Sequence, residues 1–153
     1  MPNTYSQIYI QIVFTVKGRQ NLISENHKEE LQKYITGIVQ KRDAKLLAIS
    51  CMPDHIHLFI GTKPGILLSD LVRDVKAGSS KFINDNKWIK GRFSWQEGFG
   101  AFSYSHSHIH QVVDYINNQK EHHQQKSFKE EYLGFLQKFE IKYDDAYLFE
   151  WVE

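Results

Sequence analysis

The sequence predicts an α+β domain of the ferredoxin-like (split βαβ, RRM-like) kind, with an antiparallel sheet, helices on one face and a further C-terminal helix. Three observations predict it. The hydrophobic period switches between two and about 3.6 residues in the order strand, helix, strand, strand, helix, strand, helix. The second and third strand-like segments are separated only by Pro53 and Asp54, which makes them a hairpin. The chain has 153 residues, enough for one domain around one core, with residues 127–153 as a helical and aromatic extension.

Residues 6–16 alternate, with Ile8, Ile10, Ile12, Phe14 and Val16 on one side of a half-buried strand. Residues 24–41 place Leu31, Tyr34, Ile35, Ile38 and Val39 at helical spacing behind Ser24, a candidate N-cap. "AKLLAISCM" (44–52) and "HIHLFIGT" (55–62) are strands, and their hairpin is expected at or near the middle of the sheet. Residues 68–84 are helical, with Leu68, Leu71, Val72, Val75, Phe82 and Ile83 on one stripe. Residues 92–104 are aromatic and extended, interrupted by Gly98 and Gly100. Residues 107–125 are expected as one helix with the stripe Ile109, Val112, Val113 and Ile116, and 127–140 as a shorter one. Helices gathered on one face leave the other open, and an open sheet face is a frequent platform for nucleic acid.

Composition narrows the class. The hydrophobic share is 41% and the charged share 24%, ordinary for a globular protein. No run of about 18 apolar residues offers a membrane span, and the N-terminus lacks the basic and small-residue marks of a signal peptide. The one cysteine, Cys51, lies in an apolar strand and is expected as a small core residue in a reducing cytoplasm. The net charge of +1 is unevenly spread. Arg73, Lys76, Lys81, Lys87, Lys90 and Arg92 face only Asp74 and Asp85 across residues 71–92, whereas residues 127–153 are acidic. A basic middle can face phosphates, and it can equally be a solvated helix face.

His55 and His57 carry the first chemical signal. Residues two apart on a strand point the same way, so the two imidazoles share a face with Phe59, and Ile56, Leu58 and Ile60 take the other. The pair can chelate one divalent ion, and it can also be two surface histidines; a third ligand would decide. His106, His108 and His110 have the same spacing, but on a helix such residues stand about 200° apart and cannot chelate together. His122 and His123 diverge by about 100° for the same reason. At helical spacing His108, Gln111, Tyr115, Gln119 and His122 fall within about 80° of one another. By spacing alone Tyr115 fits an edge-of-core tyrosine and Gln119 a solvated residue.

Four blocks, "MPDHIHLFI", "VKAGSSKFIN", "FSWQEGFGAFSYS" and "VVDYINNQKEHH", resemble the single-tyrosine HUH transposases, small transposases of bacterial insertion sequences that move as single-stranded DNA. The resemblance spans roughly residues 5–150, in family order. It implies that His55, Ile56 and His57 are the His-hydrophobe-His motif and that Tyr115-Ile116-Asn117-Asn118-Gln119 is the nucleophile element. Tyr115 would then be the nucleophile on the C-terminal helix, and His55, His57 and Gln119 the ligands of Mg²⁺ or Mn²⁺. The implied reaction cleaves and rejoins DNA through a 5′-phosphotyrosine, and His108 or His122 is a candidate proton acceptor. The implied partners are a DNA hairpin and a second copy of the chain, with the tyrosine helix able to complete the neighbour's site. The implied setting is a nucleoid-associated protein of the bacterial cytoplasm. The stretch holding Arg73, Lys76, Ser79, Ser80, Lys81, Lys87, Lys90 and Arg92 would hold the hairpin backbone. Trp95, Phe99 and Phe102 would either join two sheets or fill the monomer core. The competing reading is a non-catalytic or domesticated nucleic-acid-binding module, which would want stacking aromatics where the histidines stand.

Overall fold

The computed structural model describes residues 3–144 and 148. Four strands form one antiparallel sheet: β1 (Ile8–Thr15), β2 (Lys45–Met52), β3 (His55–Thr62) and β4 (Gly100–Tyr104). Their order is β2-β3-β1-β4, the ferredoxin-like order. β3 is central as expected, whereas its hairpin partner β2 lies at the edge. A bulge at Leu47 shifts the β2–β3 register and sets Ala48 opposite Phe59.

α1 (Glu25–Lys41) and α2 (Leu68–Asp85) cover one face. Their stripes Leu31, Ile35, Val39 and Leu71, Val72, Val75 meet Ile12, Phe14, Ile56, Leu58 and Ile60 in the main core. The helices approach closely at Gly78, where a Cβ would stand 2.7 Å from Ile38 Cδ1. Ser24 occupies the N-cap position of α1, but its hydroxyl bonds the His27 ring at 3.0 Å instead of a backbone N–H. Trp95 lies against Phe14 and Phe93 on this side, with its indole N–H donating to Ser79 Oγ at 2.8 Å.

The second face, expected to lie open, is covered. The segment expected as one helix over 107–125 is a 3-10 turn (His106–His108), α3 (Ile109–Asn117) and α4 (Gln119–Gln125), broken at Asn118. α5 (Phe128–Lys138) follows, with the Ser127 hydroxyl accepting from the Glu130 N–H as its cap. Val112 and Ile116 of α3 pack on Ala48 and Phe59. Phe135 of α5 and Phe139 just beyond it stack on Phe102 of β4, with centroids 5.0 and 5.1 Å away. Gly100 admits this helix, because a Cβ there would fall 2.7 Å from the Tyr132 hydroxyl. Trp95 and Phe102 are therefore core residues within the chain. The aromatic tail beyond residue 144, Leu148 excepted, lies outside the described residues. Among the described residues no helix is long and apolar enough to cross a membrane.

Candidate active site

β3 starts directly after the Pro53–Asp54 turn, so its first and third residues, His55 and His57, project together beneath α3–α5. They are 1% and 0% exposed. Each ring is oriented through Nδ1. His55 Nδ1 donates to Asp54 Oδ1 at 2.7 Å, and Arg19 grips the same carboxylate through Nε at 3.1 Å and Nη2 at 2.8 Å. His57 Nδ1 donates to Gln11 Oε1 at 2.9 Å, while Gln11 Nε2 donates to the Tyr104 hydroxyl at 3.2 Å. A carboxylate and an amide oxygen only accept, so both rings carry a proton on Nδ1 and turn Nε2 inward.

Electrostatics keep these groups in fixed states. Burial, outweighing the help of Asp54, takes His55 down to about 4 and keeps the ring neutral. Burial alone would raise Asp54, but hydrogen bonds from His55 and Arg19 hold it at about 2. His55 Nε2 is fully buried and has no hydrogen-bond partner among the described residues. A buried neutral imidazole with an inward lone pair is suited to ligate a cation.

Tyr115, near the end of α3, donates its hydroxyl to Glu131 Oε2 on α5. The other carboxylate oxygen lies 3.0 Å from His57 Nε2 and 3.4 Å from His123 Nε2. Burial and then the Glu131 charge push the Tyr115 phenol well above its ordinary value. Burial would raise Glu131 too, but His57, His123 and Tyr115 override it and hold the carboxylate ionised. Gln119 is 1% exposed; its Nε2 donates to the Tyr115 carbonyl at 3.2 Å and its Oε1 faces His123 Nε2 at 3.0 Å. Donor atoms of His55, His57, His123 and Glu131 lie within 4.8 Å of one another. Beside them Tyr115 and Glu131 line a cavity of about 350 Å³ with Gln11, Tyr104, His108, Gln111 and Lys138.

Residues 4–119 match the family described as "Transposase IS200 like". The chain belongs to the IS200-like transposase family. The transposase is 21% identical over 120 residues to the ISDra2 transposase TnpA of Deinococcus radiodurans, a match covering 74% of this chain and 84% of that protein. It superposes on a crystal structure of a Deinococcus radiodurans R1 transposase with a TM-score of 0.61 at 21% identity, covering 76% of this chain and 94% of that one. A REP-associated tyrosine transposase bound to a REP hairpin superposes with a TM-score of 0.59 at 18% identity, covering 79% of this chain and 72% of that one. The two superpositions show a shared fold.

Of the expected site residues, the transposase brings buried His55, His57 and Gln119 and half-buried Tyr115 into one cluster. His108 lines the adjoining cavity, but its Nδ1 is turned to Ser105 Oγ at 2.8 Å, and the hydrogen bond of Tyr115 goes to Glu131. The side chain of His122 lies outside the described residues. The basic stretch sits on α2 and the loop after it, on the opposite side of the sheet. There Lys87, Lys90 and Arg92 are exposed, Arg73 pairs with Asp70 and Asp74, and Lys81 pairs with Asp85. Ser80 donates to the Ala77 carbonyl. Lys76 donates to the carbonyls of Gln96 and Gly98 at 2.8 and 2.6 Å, and burial takes it down to about 8. Ser79 is fully buried, its hydroxyl spent on the Val75 carbonyl and Trp95.

Gln11, Asp54, His123 and Glu131 join the site without having been singled out in the sequence. Gln11 alone carried a signal, a polar residue in alternation with Ile10 and Ile12. The cluster fits a divalent metal ion: two inward-facing imidazole Nε2 atoms, that of His55 without a partner among the described residues, and a carboxylate beside them.

Proposed function

We propose that the chain cleaves and rejoins single-stranded DNA at insertion-sequence ends through a 5′-phosphotyrosine on Tyr115. One observation carries the reading: in a chain of this family, the Tyr115 hydroxyl and His57 Nε2 are held by the two oxygens of a single carboxylate. That arrangement supports Tyr115 as a nucleophile acting beside the histidine pair. His55 and His57 would hold a divalent ion, with Mn²⁺ suiting imidazole better than Mg²⁺, and Gln119 is the family's candidate for a further ligand. Bound there, the ion would supply Lewis acidity to the scissile phosphate and stabilise the charge of the transition state.

The chain's own residues do the rest. The half-buried phenol is a weak nucleophile on its own, because burial and the Glu131 charge both oppose the phenolate. A cation that neutralised the Glu131 charge would remove one of those two oppositions, and a phosphodiester held against Tyr115 gives the phenol oxygen its electrophile. The phenolate oxygen forms a bond to phosphorus, the P–O3′ bond breaks, and a 3′-hydroxyl leaves with the proton. The phosphotyrosine keeps the energy of the phosphodiester, so attack by another 3′-hydroxyl reseals DNA with no nucleotide cofactor.

The substrate we infer is single-stranded DNA with a hairpin, its backbone held by the exposed Lys87, Lys90 and Arg92 with Arg73 and Lys81. Joining two ends needs two Tyr115 groups, which favours a homodimer, with the tyrosine helix serving either subunit, in the bacterial cytoplasm at the nucleoid. The test is an adduct assay: hairpin-bearing single-stranded DNA, Mn²⁺ and a denaturing gel. Wild type yields a covalent protein–DNA band, and Tyr115→Phe lowers it by on the order of a thousandfold or more. An equal band from Tyr115→Phe overturns the assignment.

A further inference from the structure

We infer that Arg19, in the turn that leaves β1, is a positioning residue of the metal site: it grips one oxygen of Asp54 so that the other holds the His55 ring with Nε2 bare and turned inward. This rests on His55 binding the ion.

A carboxylate beside a histidine is free to turn about its own bond, to offer either oxygen, or to leave the ring for water. Arg19 removes that freedom. Its Nε and Nη2 both meet Asp54 Oδ2, at 3.1 and 2.8 Å, and leave Oδ1 to His55 Nδ1 at 2.7 Å. The side chains of Arg19, Asp54 and His55 are 10%, 13% and 2% exposed, so water competes little for any of them. The guanidinium also backs the ring from a second side. Its carbon lies 5.2 Å from the centre of the Phe128 ring, and that ring lies 4.2 Å from the His55 ring. One cation therefore bears on both the acceptor at the edge of His55 and the aromatic against it. Lys87, Lys90 and Arg92 stand exposed, open to a DNA backbone, whereas Arg19 is turned into the site.

The backbone at Arg19 points the same way. The Val16 N–H donates to the Asp54 carbonyl at 2.8 Å and the Ile23 N–H to the Pro53 carbonyl at 3.0 Å. The turn holding Arg19 is thus tied at both ends to the turn holding Asp54. Arg19 has a φ of 52°, directly after Gly18 at 69°. Glycine adopts that left-handed region freely, and arginine only at a cost. Among the described residues Asp43, Lys87 and Glu140 share it, but each follows the end of an α-helix, where it caps the last turn. Arg19 follows no such helix and closes a three-residue 3-10 turn, Lys17–Arg19. The residue strained without a capping role is the one whose side chain reaches the histidine pair.

The experiment uses the full chain, isotope-labelled and in chelator, and reads from the ring nitrogen resonances which nitrogen of His55 carries the proton. Mn²⁺ alone is then titrated, followed by its electron paramagnetic resonance. Wild type shows the proton on Nδ1 and binds Mn²⁺. Arg19→Met shows a mixture of the two ring forms and binds about tenfold more weakly. Arg19→Lys falls between them, since a point charge without a planar fork holds the carboxylate less firmly. In an Asp54→Leu background Arg19→Met costs no further affinity, because its contact acts through Asp54. A merely structural arginine would lower the urea midpoint and leave the ring form and affinity of the folded protein as in wild type, which overturns the inference. An equal loss of affinity in the Asp54→Leu background also overturns it, as does loss of hairpin-DNA binding with the His55 resonances unchanged. If Arg19→Met does not fold, Arg19→Lys decides: unchanged resonances and affinity overturn the inference, and a second ring form with weaker binding supports it. Failure of wild type to bind Mn²⁺ overturns the histidine reading and the inference with it, whereas binding by wild type with no change in the variants overturns the inference alone.

Discussion

The two faces of the sheet are built from the same strands and are buried alike, yet they hold opposite chemistry. Under α1 and α2, β1 and β3 present Ile10, Ile12, Phe14, Ile56, Leu58 and Ile60, a face that needs nothing but shape. Under α3–α5 the intervening residues include Gln11, Thr15, His55 and His57, all 1% exposed or less, beside the buried Val13 and Phe59. A polar group buried without a partner costs roughly 1–3 kcal/mol, so such a face persists only as a network in which each group answers another. Asp54, Gln11, His123, Glu131 and Tyr115 answer the two histidines in part, and His55 Nε2 and Thr15 Oγ1 are left over. One face therefore holds the fold, and the other holds a polar cluster that could ligate a cation.

The strongest way to break that division is to cut each face at adjacent residues of β3. Leu58→Ala should destabilise the fold by about 2–5 kcal/mol in urea with chelator present, and should leave the Mn²⁺ dissociation constant of the folded protein near wild type. His57→Ala should lower Mn²⁺ affinity by on the order of a hundredfold or more. A comparable loss of Mn²⁺ affinity in Leu58→Ala would show that the faces are one coupled unit.

Much of this contrast was legible in the sequence, because strand alternation is strict. It placed His55 with His57 and apart from Ile56, Leu58 and Ile60 before any helix was positioned. The helix wheel likewise set Tyr115 and Gln119 on one edge. What covers the histidines was not legible. Nothing like proline or glycine marks the break at Asn118, so residues 107–125 read as one rod, and a rod cannot wrap His123 back over His55. The stripe Phe128, Tyr132 and Leu136 said that α5 packs on something, not that it packs on this face. Glu131 was hidden by its neighbour: it follows Glu130 in the first turn of a helix, where acids are favoured by the helix dipole alone. Asp54 passed for a turn residue, since Pro-Asp is turn chemistry in any hairpin.

Acid should separate the faces next, because the aliphatic one has nothing to titrate. His55 binds its proton at about 4 in the fold against 6.5 in the unfolded chain. Between those values the unfolded state holds more protons, so stability in chelator should fall as pH drops from 6.5 to 4. Asp54 continues the trend: at about 2 in the fold against 3.8 unfolded, it contributes stability above 3.8 that is lost as pH falls towards 2. The expected slope is at most about 1.4 kcal/mol per pH unit for each group. Urea midpoints across this range measure it, and His55→Gln should flatten the upper part. An unchanged slope in that variant would mean that His55 is not held neutral.

The finest comparison uses two neighbours on β1 that differ only in the face they serve. Gln11→Leu keeps the bulk but removes the acceptor on His57 Nδ1. The ring is then free to swap its proton to Nε2, the atom that must stay bare to meet an ion. Mn²⁺ affinity should drop by about tenfold, or about 1.4 kcal/mol. Ile12→Val, one residue on, should cost about 0.5–1.5 kcal/mol of fold stability and leave Mn²⁺ affinity alone. Calorimetric titration of both variants reads the difference. Full Mn²⁺ affinity in Gln11→Leu would mean that the tautomer of His57 is set by Glu131, or by the ion itself, and not by the strand beside it.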